Sequence, residues 1–174
     1  SEKIVPVLLE KVYQLIKDKL ESPSQELVTH VAEHIYSNIS QDDLFQRNES
    51  DLYGAVMSLW QHVSGKKEDQ VSVHVFNPTV SRQGWQSTHT IIEIVVPDTA
   101  FLVDSIKMVL SRFDLTSHLM ANGPTQIEYN KGQVCGINNG KGGMQSLFHI
   151  EIDRLTDKQC MTDLWVSNYR LRGL

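Results

Sequence analysis

Only two cysteines, Cys135 and Cys160, occur in 174 residues, and they form no CxxC pair. That argues against a disulfide framework and points to a reducing compartment. Basic side chains are outnumbered, 16 Lys and Arg against 21 Asp and Glu, and the net charge of −5 gives no electrostatic footprint for nucleic acid. No apolar run approaches the roughly 20 residues that cross a bilayer, and no charged-then-apolar leader opens the chain, so a cytoplasmic protein without membrane contact is expected. Catalytic signatures are missing too. The sequence has no GxGxxG fingerprint, no G-x-S-x-G elbow, and no cysteine or lysine in the setting of a nucleophile, so no residue is assigned a catalytic role.

What is present is a chain long enough to bury a core and organised around one stretch, His89 to Ser105, reading HTIIEIVVPDTAFLVDS. Ile92, Ile94 and Val96 share one face of its strand, while Ile91 and Val95 share the other. A half-exposed strand alternates apolar with polar residues, so this one is predicted to be central and covered on both faces. Pro97 has no N–H to donate and ends the ladder. Asp98 is expected to cap a helix with an apolar stripe of Phe101, Leu102, Ser105, Ile106, Met108, Val109 and Leu110.

Helical spacing predicts three helices upstream. The first runs from Lys3 to Leu20 and buries Val5, Leu8, Leu9, Val12, Leu15 and Ile16. The second starts from a Ser22-Pro23-Ser24-Gln25 capping box and reaches about Asn38. The third is capped by Ser50 and presents Leu52, Val56, Leu59, Trp60 and Val63. A short helical turn starts at Ser40.

After Lys66 the period becomes 2. Val71, Val73 and Val75 alternate with Ser72, His74 and Phe76, which predicts a strand. Residues 77–87 read as a loop anchored by Trp85. Leu115 to Ala121 forms a strand that Asn122-Gly123-Pro124 should break. A hairpin follows at Asn130-Lys131-Gly132, then a Gly/Asn-rich loop over 136–143, a strand over Ser146 to Asp153 and a helical tail from Thr156. The expected fold class is α+β, with N-terminal helices over 1–65 and an α/β unit over 66–174. That unit should be an antiparallel sheet with helices on one face, most of a ferredoxin-like βαββαβ arrangement lacking its last strand at the C-terminal end. The segment Val71–Phe76 is expected to pair antiparallel with the central strand and take the vacant edge.

Three blocks stand in order: FNPTVSRQGWQS (Phe76–Ser87), the His89–Ser105 stretch, and SLFHIEIDR (Ser146–Arg154). Together they resemble the ACT-like domain in the N-terminal region of the large bacterial NAD-specific glutamate dehydrogenases. The resemblance implies a non-catalytic regulatory or assembly domain. The whole enzyme would oxidatively deaminate L-glutamate to 2-oxoglutarate and ammonia, with NAD held by the parent enzyme and no cofactor in this stretch. It also implies partners, namely the remaining domains of the same chain, further copies in a homo-oligomer, and an amino-acid effector. ACT domains bind effectors at the turn between first strand and first helix, here Asp98, Thr99, Ala100 and Phe101. Effector-binding members have a Pro-Gly pair where this chain has Ala100-Phe101, and Asp98 places its own carboxylate at the helix N-terminus, so tight binding is not expected.

Two rival readings come from other classes. One is a free-standing ACT-type amino-acid sensor. The other is a small zinc hydrolase built on His30-Val31-Ala32-Glu33-His34, an H-x-x-E-H motif with both histidines on one helix face but no third ligand in view. The glycines of 136–143 lack the spacing of a phosphate loop and read as a surface loop. His89, His118 and His149 lie on predicted strands, and Glu93 and Glu151 should share one sheet face with His149, an arrangement open to a metal or acid/base cluster. A polar face packed on helices or a partner is expected there, with no metal assigned.

Overall fold

The computed structural model describes residues 6–37, 39–44 and 47–170, with Gln41 described for its backbone alone. The expected helix start at Lys3 with Val5, and the end of the second helix at Asn38, lie outside these residues. Four helices come first: α1 (Val7–Lys19), α2 (Ser24–Tyr36), the single turn α3 (Gln41–Leu44) and α4 (Glu49–Gly65). The order then alternates: β1 (Ser72–Phe76), the turn α5 (Val80–Gln83), β2 (Thr90–Pro97), α6 (Leu102–Arg112), β3 (Ser117–Asn130), β4 (Gln133–Ile137), β5 (Gly143–Ile152) and α7 (Lys158–Tyr169). No helix among the described residues is long and apolar enough to cross a membrane, and both cysteines are free.

The strands form one sheet in the order β1-β2-β5-β3-β4, antiparallel at every step. Val73 pairs with Ile94, so β1 takes the edge beside β2 that the last strand of a ferredoxin-like unit would take, as expected. The fold is therefore α+β and consistent with an ACT-like sheet.

Strand parity decides what each face buries. Ile92, Ile94, Val96, Phe148, Ile150 and Ile152 pack with Ile106, Val109 and Leu110 of α6 and Leu164 of α7. On the opposite face, Val95, Ala121, Ile127 and Leu147 share a core with Val12 and Ile16 of α1, Val31 and Ile35 of α2, and Val56 and Leu59 of α4. Ile91 meets Ala55 and Trp85 there, the latter set edge-on to Phe76. Ile91 and Val95 are fully buried, as the two-sided pattern of β2 requires. The two helices of the ACT-like unit lie on one face, and the N-terminal helices cover the other.

Local signals deviate from the expectations in four places. Asn122-Gly123-Pro124 does not break β3, which runs through to Asn130. β4 pairs with it only from Ile127, so at Pro124 the strand has one neighbour, and a proline is tolerated beside an edge that has no ladder to feed. The helix α4 is capped by Asn48, whose side chain accepts from the Asp51 N–H, and not by Ser50. Ser22 caps nothing: the Ser22–Pro23 peptide is cis, and α2 starts at Ser24 without a side-chain cap. Phe101 and Met108 are both exposed and stand outside the buried stripe of α6.

Candidate functional site

The turn from β2 to α6 was expected to carry effector contacts, and the structure rearranges it. The Asp98 N–H donates to the Met144 carbonyl at 2.9 Å, and its carboxylate accepts from the Ser146 hydroxyl at 2.7 Å. Asp98 is thus tied to β5 and does not cap α6. Phe101 precedes the helix in a left-handed conformation (φ 66°, ψ 16°) and provides no side-chain cap. Its ring is 79% exposed, so it does not plug the turn. The expected placement of the Asp98 carboxylate at the helix N-terminus is overturned. Asp98, Thr99 and Phe101 border a shallow cleft of about 300 Å³, closed by Asn122, Gly123 and Pro124 of β3. Two carboxylates, Asp98 and Asp104, line it, and no cationic side chain does among the described residues.

A second constellation lies between the sheet and the N-terminal helices. Glu93 of β2, fully buried, faces His149 of β5 across the ladder. The strand parity that puts Glu93, His149 and Glu151 on one face was legible in the sequence. The structure splits them into two groups.

Around Glu93, the Ser58 hydroxyl donates to one carboxylate oxygen at 2.6 Å. The other oxygen lies 3.1 Å from His62 Nδ1 and 3.6 Å from His74 Nδ1. The far nitrogen of His62 is 2.7 Å from Ser72 Oγ, and the two imidazoles stack with centroids 3.7 Å apart. His62 is buried, while the His74 side chain is 53% exposed. Their ligand atoms with that of Glu93 lie within 4.8 Å of one another. Burial works against ionisation of Glu93, but the imidazoles of His62 and His74 and the Ser58 hydroxyl outweigh it and hold the carboxyl at about 2. Burial lowers the pKa of His62 against the pull of Glu93.

Around Glu151, Arg47 makes a two-pronged pair at 2.9 and 2.5 Å, and His149 Nε2 lies at 3.0 Å. Burial opposes ionisation here as well, yet His149 and Arg47 hold the Glu151 carboxyl well below the usual range. His89 and His118 stand next to each other at the rim, with His118 on Asp153. This rim opens on a cleft of about 880 Å³ between the start of α4 and the 77–89 connection.

His62 and Ser58 were missed by sequence reasoning as members of this layer. His62 follows Leu59 by three positions on α4, next to the apolar face, and that spacing is the signal that it points inward. The H-x-x-E-H segment does not converge on an ion. His34 ties α2 to the sheet, with Nε2 3.1 Å from the Leu147 carbonyl and Nδ1 3.3 Å from Thr125 Oγ1, while His30 lies 3.8 Å from Glu33 at the surface.

The family model for the glutamate dehydrogenase ACT1 domain matches residues 31–165. The NAD-specific glutamate dehydrogenase of Pseudomonas aeruginosa is 40% identical over 133 residues, covering 73% of this chain and 8% of the relative. That of Halomonas elongata is 31% identical over 153 residues, covering 84% of this chain and 10% of the relative. The chain thus spans a tenth or less of the length of these relatives. No solved structure matches it. The match over most of the chain, together with an ACT-like sheet, shows that the chain belongs to the glutamate dehydrogenase ACT1-domain family.

Proposed function

We propose that this chain is the non-catalytic regulatory and assembly domain of a large NAD-specific glutamate dehydrogenase. The whole enzyme would convert L-glutamate, NAD and water to 2-oxoglutarate, ammonia and NADH, with NAD bound by other domains of the same polypeptide. One observation carries the reading: the family match fills most of this chain while leaving some nine-tenths of each relative for other work. The sheet agrees with it. A dinucleotide crevice of the Rossmann kind opens between parallel strands at a topological switch point, and every neighbouring pair here is antiparallel. The carboxylates Glu93 and Glu151 are engaged by neighbouring side chains, which suits a scaffold.

The test compares the full-length parent enzyme with a version from which this domain is deleted. The deletion is expected to change the assembled size by light scattering, and the isolated chain to reduce no NAD with glutamate. An unchanged assembly with unchanged kinetics, or NAD reduction by the isolated chain, overturns the proposal.

Effector contact belongs to the same reading and falls on Asp98, Thr99, Ala100 and Phe101. The free N–H groups at the start of α6 attract a carboxylate, and Asp98 and Asp104 suit an ammonium group. Without a cationic side chain in the lining, this chain alone holds an amino acid only weakly, and a neighbouring domain or second copy completes the site. Common amino acids at millimolar concentration are therefore expected to raise the melting temperature by less than about 5 °C. A rise of roughly 5–10 °C that Asp98→Ala abolishes would make the chain a sensor in its own right.

A further inference from the structure

Beyond bracing the scaffold, the cluster around Glu93 gathers a donor set suited to a metal ion. Two imidazoles and one carboxylate, from α4, β1 and β2, converge within 4.8 Å. His74 and Glu93 are direct cross-strand partners, so the sheet fixes their spacing. His62 reaches the same carboxylate oxygen from the helix above.

We propose that His62, His74 and Glu93 bind a divalent transition-metal ion of the zinc class, through Nδ1 of each imidazole and a carboxylate oxygen of Glu93. The distances fit. Ligands held at about 2.0–2.2 Å in a tetrahedron stand roughly 3.3–3.5 Å from one another. The two nitrogens lie 3.1 and 3.6 Å from the Glu93 oxygen. Nitrogen and carboxylate donors favour zinc, cobalt, nickel or copper over magnesium or calcium, which take oxygen ligands.

The surroundings resemble an outer shell. Ser72 engages the nitrogen of His62 that the ion would not use, and Ser58 holds the second Glu93 oxygen. Such partners orient a ligating imidazole and carboxylate before the ion arrives. The stacked rings require one adjustment, because parallel planes do not aim both lone pairs at one point. His74 is the ring free to make it: its side chain is half exposed, and the outer torsion of histidine has broad, soft minima. The groove beside β1, which Ser58, His74, Phe76 and Gln83 help to line, leaves room for water as a fourth ligand.

The chain is stripped with a chelator and titrated with Zn²⁺ against a chromophoric competitor, and with Co²⁺ to read coordination geometry from the visible spectrum. One equivalent is expected to bind with a dissociation constant of about 1 µM or tighter, and Co²⁺ to give a tetrahedral spectrum. His74→Ala, at an exposed position, is expected to weaken binding at least about 100-fold, and Ser72→Ala about tenfold as the loss of an outer-shell partner. His118→Ala, at a separate surface pair, serves as the control and should bind as the parent chain does. Absence of stoichiometric binding, or affinity unchanged in His74→Ala, overturns the proposal and leaves the cluster a hydrogen-bonded network around a buried carboxylate.

Discussion

Phe101 is the residue whose local chemistry and conformation disagree most. A bulky L-residue in the left-handed region brings Cβ against the following carbonyl, at a cost of roughly 1–2 kcal/mol that glycine does not incur. The ring recovers little by packing, since it is 79% exposed. Phe101→Gly is therefore expected to stabilise the chain by about 1 kcal/mol, less the entropy glycine adds to the unfolded state, as read from urea denaturation. A loss of stability would show that the ring makes a contact in solution that its exposure hides. The turn sequence Pro97-Asp98-Thr99-Ala100-Phe101 gave no sign of this conformation, because positive φ is advertised by Gly or Asn and not by Phe. Asp98 was misread for a related reason. Its capping propensity is local, while its actual partners, Met144 and Ser146, are brought up by β5 from more than 40 residues away.

At the scale of single elements, β2 carries the most information. Five apolar residues distributed over both faces announced a central strand, and the ladder confirms it with β1 on one side and β5 on the other. Ile91→Ala and Ile94→Ala, one on each face, should each cost about 2–5 kcal/mol, since both side chains are essentially solvent-free and the removed atoms leave cavities. A value below about 0.5 kcal/mol for Ile91, typical of surface sites, would mean that the N-terminal helices do not seal that face in solution. The amphipathic helices were equally legible, because Val12, Ile16, Val31, Ile35, Val56 and Leu59 repeat at helical spacing and all are buried. The continuity of β3 was not, because whether a proline breaks a strand depends on which edges are paired there, and pairing is a property of the sheet. The grouping of His62 with His74 and Glu93 was hidden likewise: each comes from a different element, and no fixed spacing encodes the encounter.

Taken whole, the molecule places ionisable groups in its interior layer, and this sets its response to acid. Glu93 is held at about 2 against an ordinary 4.5, so the fold favours its charged form. That stabilisation is present above 4.5 and is lost as pH falls toward 2, on the order of 3 kcal/mol in all. His34, His62 and His89 are lowered from 6.5, with burial the leading cause in each. The fold favours their neutral forms, and their contribution is present above 6.5 and declines as pH drops below it. Both sets act in the same direction. Unfolding free energy from urea titrations is expected to hold between pH 7.5 and 6.5 and to fall from there toward pH 2, and Glu93→Gln to flatten the part below 4.5. A maximum near pH 5 would contradict this assignment. The origin of β1 has a kinetic consequence as well. Its connection to β2 runs over Asn77–His89, about a dozen residues, whereas a strand placed after α7 would meet β2 across about seventy. Loop-closure entropy grows as the logarithm of length, so the upstream position makes that closure easier by roughly 1.5 kcal/mol. Taking its edge strand from upstream lowers the contact order of the sheet, and the longest closure left between its paired strands is the one that brings β5 to β2 across about 45 residues.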